Sequence, residues 1–449
     1  MCEATLLQVL EAREKRVETQ KQLLSAYKTT LICFTLNIAG PVKVSPMIER
    51  CFFEGINLLK ERFEECIIHK ETNMAVTGCE AFICVNKDAK TVKKICTEIE
   101  EGHPLGRLFD MDVLSCDGEK LSRENLRGCI VCGKAGRECA AARLHSVEDL
   151  QTVTNRIIYN YFLDKDSDCF GNFAYSSLLE EVYTTPKAGL VDRNNNGSHT
   201  DMNVELFEKS ANALKPFFCR CFEIGVKTQN LPCDMAFKEL RKAGIEAEKI
   251  MFEATGGVNT HKGAIFSLGA LCGVVGRLWS AEKTDYNIEE ILTLCSDLTK
   301  KAMEDDFAKS NTSTAGGRLY SKYNLLGIRG EVASGFLSVK HIGLPIFLRA
   351  LDNGFSKNDA GAITLVHLIS KVEDTTIYNR GGRSGAAFAK KSAKELIENS
   401  FFPTVAQMKQ LDNEFISRNL SAGGCADLLA VTYFLYKFNS QNNKTLAED

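Results

Sequence analysis

The 449-residue chain is 44% apolar and 25% charged, the balance of a globular protein too long for one ordinary core, so two or three domains are expected. A net charge of −3 argues against a broad nucleic-acid-binding face but leaves room for local basic pockets that take nucleotides. An uncharged run as long as any in the chain, Gly263 to Gly276, is too short to span a bilayer. Eighteen cysteines scattered along a chain that opens without a signal-peptide pattern are expected to be reduced thiols in a cytoplasmic protein.

Residues 5–28 place apolar positions at helical spacing among Glu, Lys and Arg. Leu31 to Ile38 follows as a β-rich run closed by the turn Ala39-Gly40-Pro41. The pattern then predicts a helix over 46–66, a strand over Ala81–Val85, a helix over 88–101 ended by Gly102-His103-Pro104, and a strand over Leu108–Leu114. Alternating strands and helices predict an α/β or α+β domain over residues 1–163. Asp164 to Gly171 (DKDSDCFG) reads as a linker. Over 172–449 helical patterns dominate, at 172–183, 203–224, 235–254, 263–278, 287–303, 331–340, 358–372, 385–396 and 405–418. The second domain is therefore expected to be mainly α-helical, with its site built from helix ends and loops.

Asp110 and Asp112 are two apart in the strand over 108–114 and so project from one face. Two carboxylates on one face repel unless a cation lies between them, and Mg²⁺ suits oxygen ligands shared with substrate phosphates. With Arg107 beside them, the pair has the equipment for metal-assisted nucleotidyl transfer; a strand edge with two solvated acids is the plain alternative. Cys129, Cys132, Cys139 and His145 offer the ligand chemistry of a structural zinc site, although the C-x₂-C-x₆-C-x₅-H spacing matches no standard finger and chance clustering is easy in a cysteine-rich chain.

In the second domain Gly256-Gly257-Val258-Asn259-Thr260-His261-Lys262-Gly263 is the densest chemical signal. Glycines let backbone amides approach a ligand, and a helix starting just after them aims its positive end at anionic oxygens. The stretch reads as a phosphate-handling turn feeding a buried helix. It carries neither the Walker spacing nor G-x-G-x-x-G.

Thr35 to Lys43 (TLNIAGPVK), His103 to Leu108 (HPLGRL) with the two aspartates, and the cysteine segment ending in Arg143-Leu144-His145-Ser146 occur in that order. Together they resemble apo-citrate lyase phosphoribosyl-dephospho-CoA transferase, also called holo-citrate lyase synthase, across residues 5–158. Ala39 stands where that family usually has proline. The resemblance implies a nucleotidyltransferase-like domain that moves a phosphoribosyl-dephospho-CoA group onto a serine of the citrate lyase acyl carrier (gamma) subunit. It places Mg²⁺ on Asp110 and Asp112, and phosphate charge beside Arg107 and Lys43.

Farther along, the polar run Thr185–Met202, the turn at 257–263, Gly327-Ile328-Arg329-Gly330-Glu331, Asp374-Thr375 and Arg380-Gly381-Gly382 occur in order. This set resembles triphosphoribosyl-dephospho-CoA synthase over roughly residues 172–400. Ala188 replaces a common proline, and Thr376 and Asn379 depart from the usual Asn and His, which puts the detailed role of the 374–382 loop in question. The implied reaction displaces adenine from ATP by the 2′-hydroxyl of 3′-dephospho-CoA, so it needs a base, a proton donor for the departing ring, and cations for an intact triphosphate. The roles expected are Glu331 as base, Gly257, Asn259, Thr260, His261 and Lys262 at the triphosphate or leaving base, Asp192 and Asp201 on Mg²⁺, and Arg329 and Arg380 as phosphate clamps. A nucleotide or ADP-ribosyl hydrolase in the second half, a non-enzymatic scaffold for carrier subunits, and the same chemistry serving a malonate decarboxylase carrier are the alternatives. No nucleic acid or membrane partner is expected.

Overall fold

A computed structural model of the chain describes residues 3–123, 127–309 and 315–445, the side chains at 137, 140, 315 and 440–445 excepted. The chain divides into two compact units: Met1–Lys165 with Ser280–Lys283, and Asp166–Trp279 with Thr284–Asp449.

The first unit begins with helix α1 (Leu6–Tyr27), opened by a Thr5–Gln8 capping box. Strand β1 (Thr30–Leu36) is followed by α2 (Pro46–Phe63), whose N-cap Ser45 and first-turn Pro46 fix where it starts. Strands β2 (Ile67–Ala75) and β3 (Gly78–Val85), helix α3 (Ala89–Gly102) and strand β4 (Phe109–Leu114) complete a four-stranded sheet of order β2-β3-β1-β4. Every pairing is antiparallel, and the register sets Asp112 opposite Cys33 and Asp110 opposite Thr35. The two faces differ. Ile32, Phe34, Met111 and Val113 are buried beneath α2, where Phe34 stacks on Phe52 at 5.1 Å and meets Phe109 edge-on at 5.4 Å. Such ring pairs contribute about 0.5–1.5 kcal/mol beyond simple burial. On the other face Leu31, Cys33, Phe82, Cys84 and Leu114 pack with Leu23 and Leu24 of α1, and the two aspartates lie on this same side. A short helix α4 (Gly136–Ala141) leads into α5 (Val147–Tyr183).

The sequence pattern misses β2. It is an edge strand that exposes Ile68, Lys70, Thr72, Asn73 and Met74 and turns His69 and Glu71 to the less exposed side, so polar residues stand on both faces and no apolar run marks it. The expected linker at 164–171 is helical, inside α5. Two of its polar groups are buried and bonded, Trp279 Nε1 donating to Asp166 Oδ2 at 2.6 Å and Ser167 Oγ donating to Cys219 O at 3.2 Å, while Asp164, Lys165 and Asp168 stay exposed.

The second unit is helical, as expected from the apolar periodicity. Its helices are α6 (Val204–Lys227), α7 (Cys233–Ala254), α8 (Lys262–Leu278), α9 (Ile288–Ala308), α10 (Ala315–Tyr323), α11 (Gly327–Ala333), α12 (Leu344–Asp352), α13 (Lys357–Lys371), α14 (Thr375–Asn399), α15 (Val405–Ser417) and α16 (Gly423–Thr445). Helix α8 is apolar on nearly all sides and packs against α6, α7, α9, α11 and α16, which makes it the axis of the core. The helix expected over 331–340 is broken, because Gly335 and Phe336 take positive φ (73° and 54°) and a π-turn follows at Val339–Gly343. The expected loop over 374–382 is helical as well: the Asp374 carboxylate accepts from the N–H groups of Thr376 and Ile377 and starts α14, which bends at Gly382. No helix among the described residues is long and apolar enough to cross a membrane, and no disulfide is recorded among the described cysteines.

Candidate active sites

The first unit contains a cavity of about 1170 Å³ lined by Asp110 and Asp112 together with Lys93, Arg107, Lys120, Arg123, Arg127 and Arg143. Six cations around two carboxylates make a basin suited to a polyphosphate. Strand β4 aims both acids into it while Met111 between them faces the core. Lys120 pairs with Asp112. Asp110 has no ion-pair or hydrogen-bond partner among the described residues; its side chain is exposed at the cavity, and partial desolvation by the surrounding walls, then the Asp112 charge, raise its pKa. Behind the strand, buried Glu100 accepts from Met111 N–H at 2.8 Å and holds Arg127 at 3.0 Å and Arg123. Arg127 also donates to Phe109 O at 2.7 Å, and Arg107 donates to Gly128 O. These bonds tie the cavity's cations to the strand that carries the acids. Lys43 lies elsewhere: its ammonium donates to Ile38 O, within the turn after β1. The residues present fit a divalent cation at Asp110 and Asp112, since one carboxylate has no partner and a hard-oxygen pair faces a phosphate-sized basin.

The second unit contains a cavity of about 730 Å³. Five of the expected residues line it together: Asn259, Thr260, His261, Lys262 and Arg329. The turn before α8 is made by Gly256 and Gly257 at positive φ (64° and 92°) and by Thr255 Oγ1 donating to Val258 O at 2.6 Å. Asn259 Oδ1 accepts from Lys262 N–H at 3.3 Å, and Lys262 Nζ pairs with Glu248 at 2.7 Å. Arg329 stacks on Phe307 at 4.7 Å.

His261 is 4% exposed. Thr260 Oγ1 donates to Ser210 Oγ at 2.7 Å, and Ser210 Oγ lies 2.7 Å from His261 Nδ1. With that hydroxyl accepting from Thr260 and donating to Nδ1, the ring proton sits on Nε2, which is buried and has no partner among the described residues. Burial, with the Lys187 charge second, pushes the imidazole down to about 3. It is a neutral donor at physiological pH.

Three groups that sequence reasoning did not select line the same cavity: Glu181, Lys187 and Asp427. Lys187 is 1% exposed and donates to Glu181 Oε1 at 2.5 Å and Glu181 O at 2.8 Å, so this pair is mutually satisfied. Asp427, from the first turns of α16, has no hydrogen-bond or ion-pair partner among the described residues. Its carboxyl lies so close to Gly263 that a Cβ there would overlap it, which is a local reason for glycine at the start of α8. Burial first, then the charges of Glu181 and Asp374, raise its pKa well above the carboxylate range.

Other expected residues lie outside the cavity wall. The Asp192 carboxylate is taken up by the turn, accepting from Asn194, Asn195 and Lys187 N–H at 2.7, 3.1 and 3.0 Å. Asp201 is 61% exposed, 3.9 Å from His199. The two therefore do not fit a shared metal in this cavity, and no metal step is derived for this unit. Glu331 accepts from Ser338 N–H at 3.1 Å and Ser338 Oγ at 2.5 Å, so its carboxylate closes the reverse turn after α11. Gly257 N–H donates to Phe252 O at 2.8 Å and shapes the turn without lining the cavity. Arg380 donates to Ser198 O at 2.7 Å, Asn419 Oδ1 at 2.8 Å and His199 Nδ1 at 3.0 Å. It braces His199, whose Nε2 lies 2.9 Å from Ser421 Oγ and which does reach the wall.

Cys129, Cys132, Cys139 and His145 come together in the first unit, with their ligand atoms all within 4.8 Å of one another.

Comparison with known proteins divides the chain along the same lines. Residues 4–161 match the family described as CitX, apo-citrate lyase phosphoribosyl-dephospho-CoA transferase. Residues 168–446 match CitG, ATP:dephospho-CoA triphosphoribosyl transferase. Protein CitXG of Haemophilus influenzae is 36% identical over 449 residues, covering 96% of this chain and 95% of that protein. Protein CitXG of Leuconostoc mesenteroides subsp. cremoris is 36% identical over 454 residues, with 96% of each chain covered. The 2-(5''-triphosphoribosyl)-3'-dephosphocoenzyme-A synthase of Haemophilus ducreyi is 34% identical over 324 residues, 68% of this chain and 98% of that one. With both family matches in order and the fused relatives aligned from end to end, the chain belongs to the CitXG family of two-part transferases.

Proposed function

We propose that the second unit makes 2'-(5''-triphosphoribosyl)-3'-dephospho-CoA from ATP and 3'-dephospho-CoA with release of adenine, and that the first unit transfers the phosphoribosyl-dephospho-CoA group to a serine of the citrate lyase acyl carrier (gamma) subunit with release of pyrophosphate. The observation that carries this reading is that each family match, 4–161 and 168–446, encloses its own large cavity with the group types its reaction needs.

In the second unit the 2′-hydroxyl attacks C1′ of the ATP ribose as the bond from C1′ to adenine breaks. Asp427 takes the hydroxyl proton. It is the cavity carboxylate without a partner, and the same burial that raises its pKa makes its ionised form a stronger base. His261 Nε2–H hydrogen-bonds to the departing ring and stabilises the negative charge that develops there; adenine takes its proton from solvent, which balances the one that Asp427 removes from the hydroxyl and later returns to solvent. The turn at 257–263, the N-terminus of α8, Lys262 and Arg329 hold the triphosphate, which leaves intact on the product. Burial, with the Lys187 charge second, keeps the His261 imidazole neutral.

In the first unit the carrier's serine oxygen attacks the α-phosphate, the bond from that phosphorus to the bridging oxygen breaks, pyrophosphate leaves, and the hydroxyl proton passes to solvent. A Mg²⁺ at Asp110 and Asp112 would neutralise phosphate charge as it develops. Lys93, Arg107 and Arg127 line the same cavity and draw the polyphosphate in with fixed positive charge.

Mass spectrometry tests both steps. Purified protein with ATP, Mg²⁺ and dephospho-CoA should give free adenine and the triphosphoribosyl adduct; adding the apo carrier should give a carrier heavier by the phosphoribosyl-dephospho-CoA group. ATP yielding ADP or AMP instead would overturn the glycosyl-transfer reading. Transfer to a malonate decarboxylase carrier in preference to the citrate lyase carrier would overturn the partner.

His261→Ala is expected to lower kcat for adenine release about 10²–10³-fold, the scale for one preorganised donor. His261→Gln, which can place an N–H near the position of Nε2, should recover part of that loss. Because the imidazole titrates near 3, neither variant should move the pH profile between 5 and 9. A limb in that range that disappears with His261 would disprove the neutral-donor role.

A further inference from the structure

We propose that Cys129, Cys132, Cys139 and His145 bind one zinc ion that cross-links residues 127–146 into the fold in which they line the first unit's cavity. The proposal rests on their geometry and not on either reaction assigned above.

The four ligand atoms lie within 4.8 Å of one another, with Cys132 Sγ and Cys139 Sγ 3.5 Å apart. A tetrahedral ion with bonds of about 2.3 Å to sulfur and about 2.0–2.1 Å to nitrogen has edges of roughly 3.5–3.8 Å. The cluster is therefore already close to the size that zinc requires. Three sulfurs and one imidazole nitrogen are a soft donor set that selects zinc over magnesium or calcium.

The backbone around the first two cysteines is shaped to present sulfur. Cys129 N–H donates to Lys134 O at 2.6 Å and Gly133 N–H donates to Cys129 O at 2.9 Å, while Gly133 takes φ 74°. The resulting tight turn directs Val131 N–H at Cys129 Sγ, 3.4 Å away. An amide donating to a thiolate ligand is the outer-shell contact that orients metal-bound cysteines.

Two further observations point to a ligand. The Nε2 of His145 is buried with no hydrogen-bond partner among the described residues, which leaves the ring without a satisfied role unless it serves a ligand, and three thiols are the groups beside it. The segment also lacks a core. Between 127 and 146 Cys139 is the one buried residue among those described, and the single helix, α4, is six residues long. Yet this segment supplies Arg127 to Phe109 O, Gly128 O to Arg107, and the lining residues Cys129, Cys139 and Arg143. A metal clip replaces the hydrophobic core that the segment does not have. Three thiols lose their protons to solvent on binding, and the resulting centre carries a net charge of about −1 from three thiolates and Zn²⁺, adjacent to the cavity's cations.

The full-length protein, purified without chelator under reducing conditions, should contain one zinc per chain by plasma mass spectrometry. Exchange with Co²⁺ should give the intense visible absorption and the thiolate charge-transfer band of tetrahedral sulfur coordination. Cys132→Ser should lose the metal, whereas Cys116→Ser, at an exposed thiol outside the cluster, should keep it. Chelation should expose residues 127–146 to limited proteolysis, and added zinc should protect them again. The wild-type cobalt spectrum keeps the test decisive even where Cys132→Ser fails to fold. Failure of reduced protein to take up stoichiometric zinc, an octahedral cobalt spectrum, or a native Cys132–Cys139 disulfide in metal-free protein would each overturn the site.

Discussion

Asp427→Asn is expected to lower kcat for adenine release by about 10²–10⁴-fold, the range for a general base, without loss of fold. A half-buried carboxylate that feels the charges of Glu181 and Asp374 is not held there for stability. Its charged form is penalised by burial and by both neighbours, and it receives no hydrogen bond among the described residues. Asparagine keeps the shape and removes the charge. The folded-state pKa is raised, so the folded protein binds this proton more tightly than the unfolded chain does. Whatever stability that proton brings is complete below the ordinary carboxylate range and is lost as pH rises through the raised pKa. The difference in Tm, variant minus wild type, should therefore be near zero at low pH and turn increasingly positive as pH rises. In parallel, the rising acid limb of kcat/KM in the wild type should be absent from the variant. Adenine-release kinetics and thermal melts across one pH series read both effects. A Tm that falls together with activity would make Asp427 a structural residue, and an activity loss under tenfold would remove it from the chemistry.

The sequence carried the strong local signals and missed those that exist only in three dimensions. Strands β1, β3 and β4 and the buried helix after the 257–263 turn were legible because apolar runs and glycine turns mark them. Asp110 and Asp112 were legible because a period of two is fixed by strand geometry. Asp427 left one sign that could have been read: a lone acid in the otherwise apolar run Cys425-Ala426-Asp427-Leu428-Leu429-Ala430, where a charge must either be satisfied or be used. The Lys187–Glu181 pair could not be read, because helical and turn positions six residues apart meet only after the cavity forms. Asp192, Asp201, Glu331 and Arg380 stand in polar, glycine-rich stretches that look like ligand sites. Three of these four are engaged by backbone or neighbouring side chains instead, because the Asx turns and reverse turns that organise a site draw on the same residue types that bind ligands.

Asp110→Asn should abolish the second step selectively: carrier modification falls about 10²–10³-fold, the scale for losing one preorganised electrostatic group, while adenine release is retained. The structure distinguishes this acid from its neighbour. Asp112 already pairs with Lys120, so Asp112→Asn also releases a cation into the basin and is expected to cost less. Asp110 is the unpaired member; its side chain is exposed at the cavity, yet the protein walls around it first, and then the Asp112 charge, raise its pKa above the usual carboxylate value. Protonation and a divalent cation compete for the same oxygen. As pH falls through that raised pKa, the Mg²⁺ concentration needed for half-maximal transfer should rise in the wild type, and excess Mg²⁺ should restore the rate. In Asp110→Asn that pH-dependent rise should vanish, because the residue that titrates is gone. Carrier mass shifts measured against Mg²⁺ concentration at several pH values decide the matter. Equal losses in adenine release and transfer would mean that the substitution disturbs the chain as a whole. An unchanged Mg²⁺ requirement would mean that Asp110 does not hold the cation.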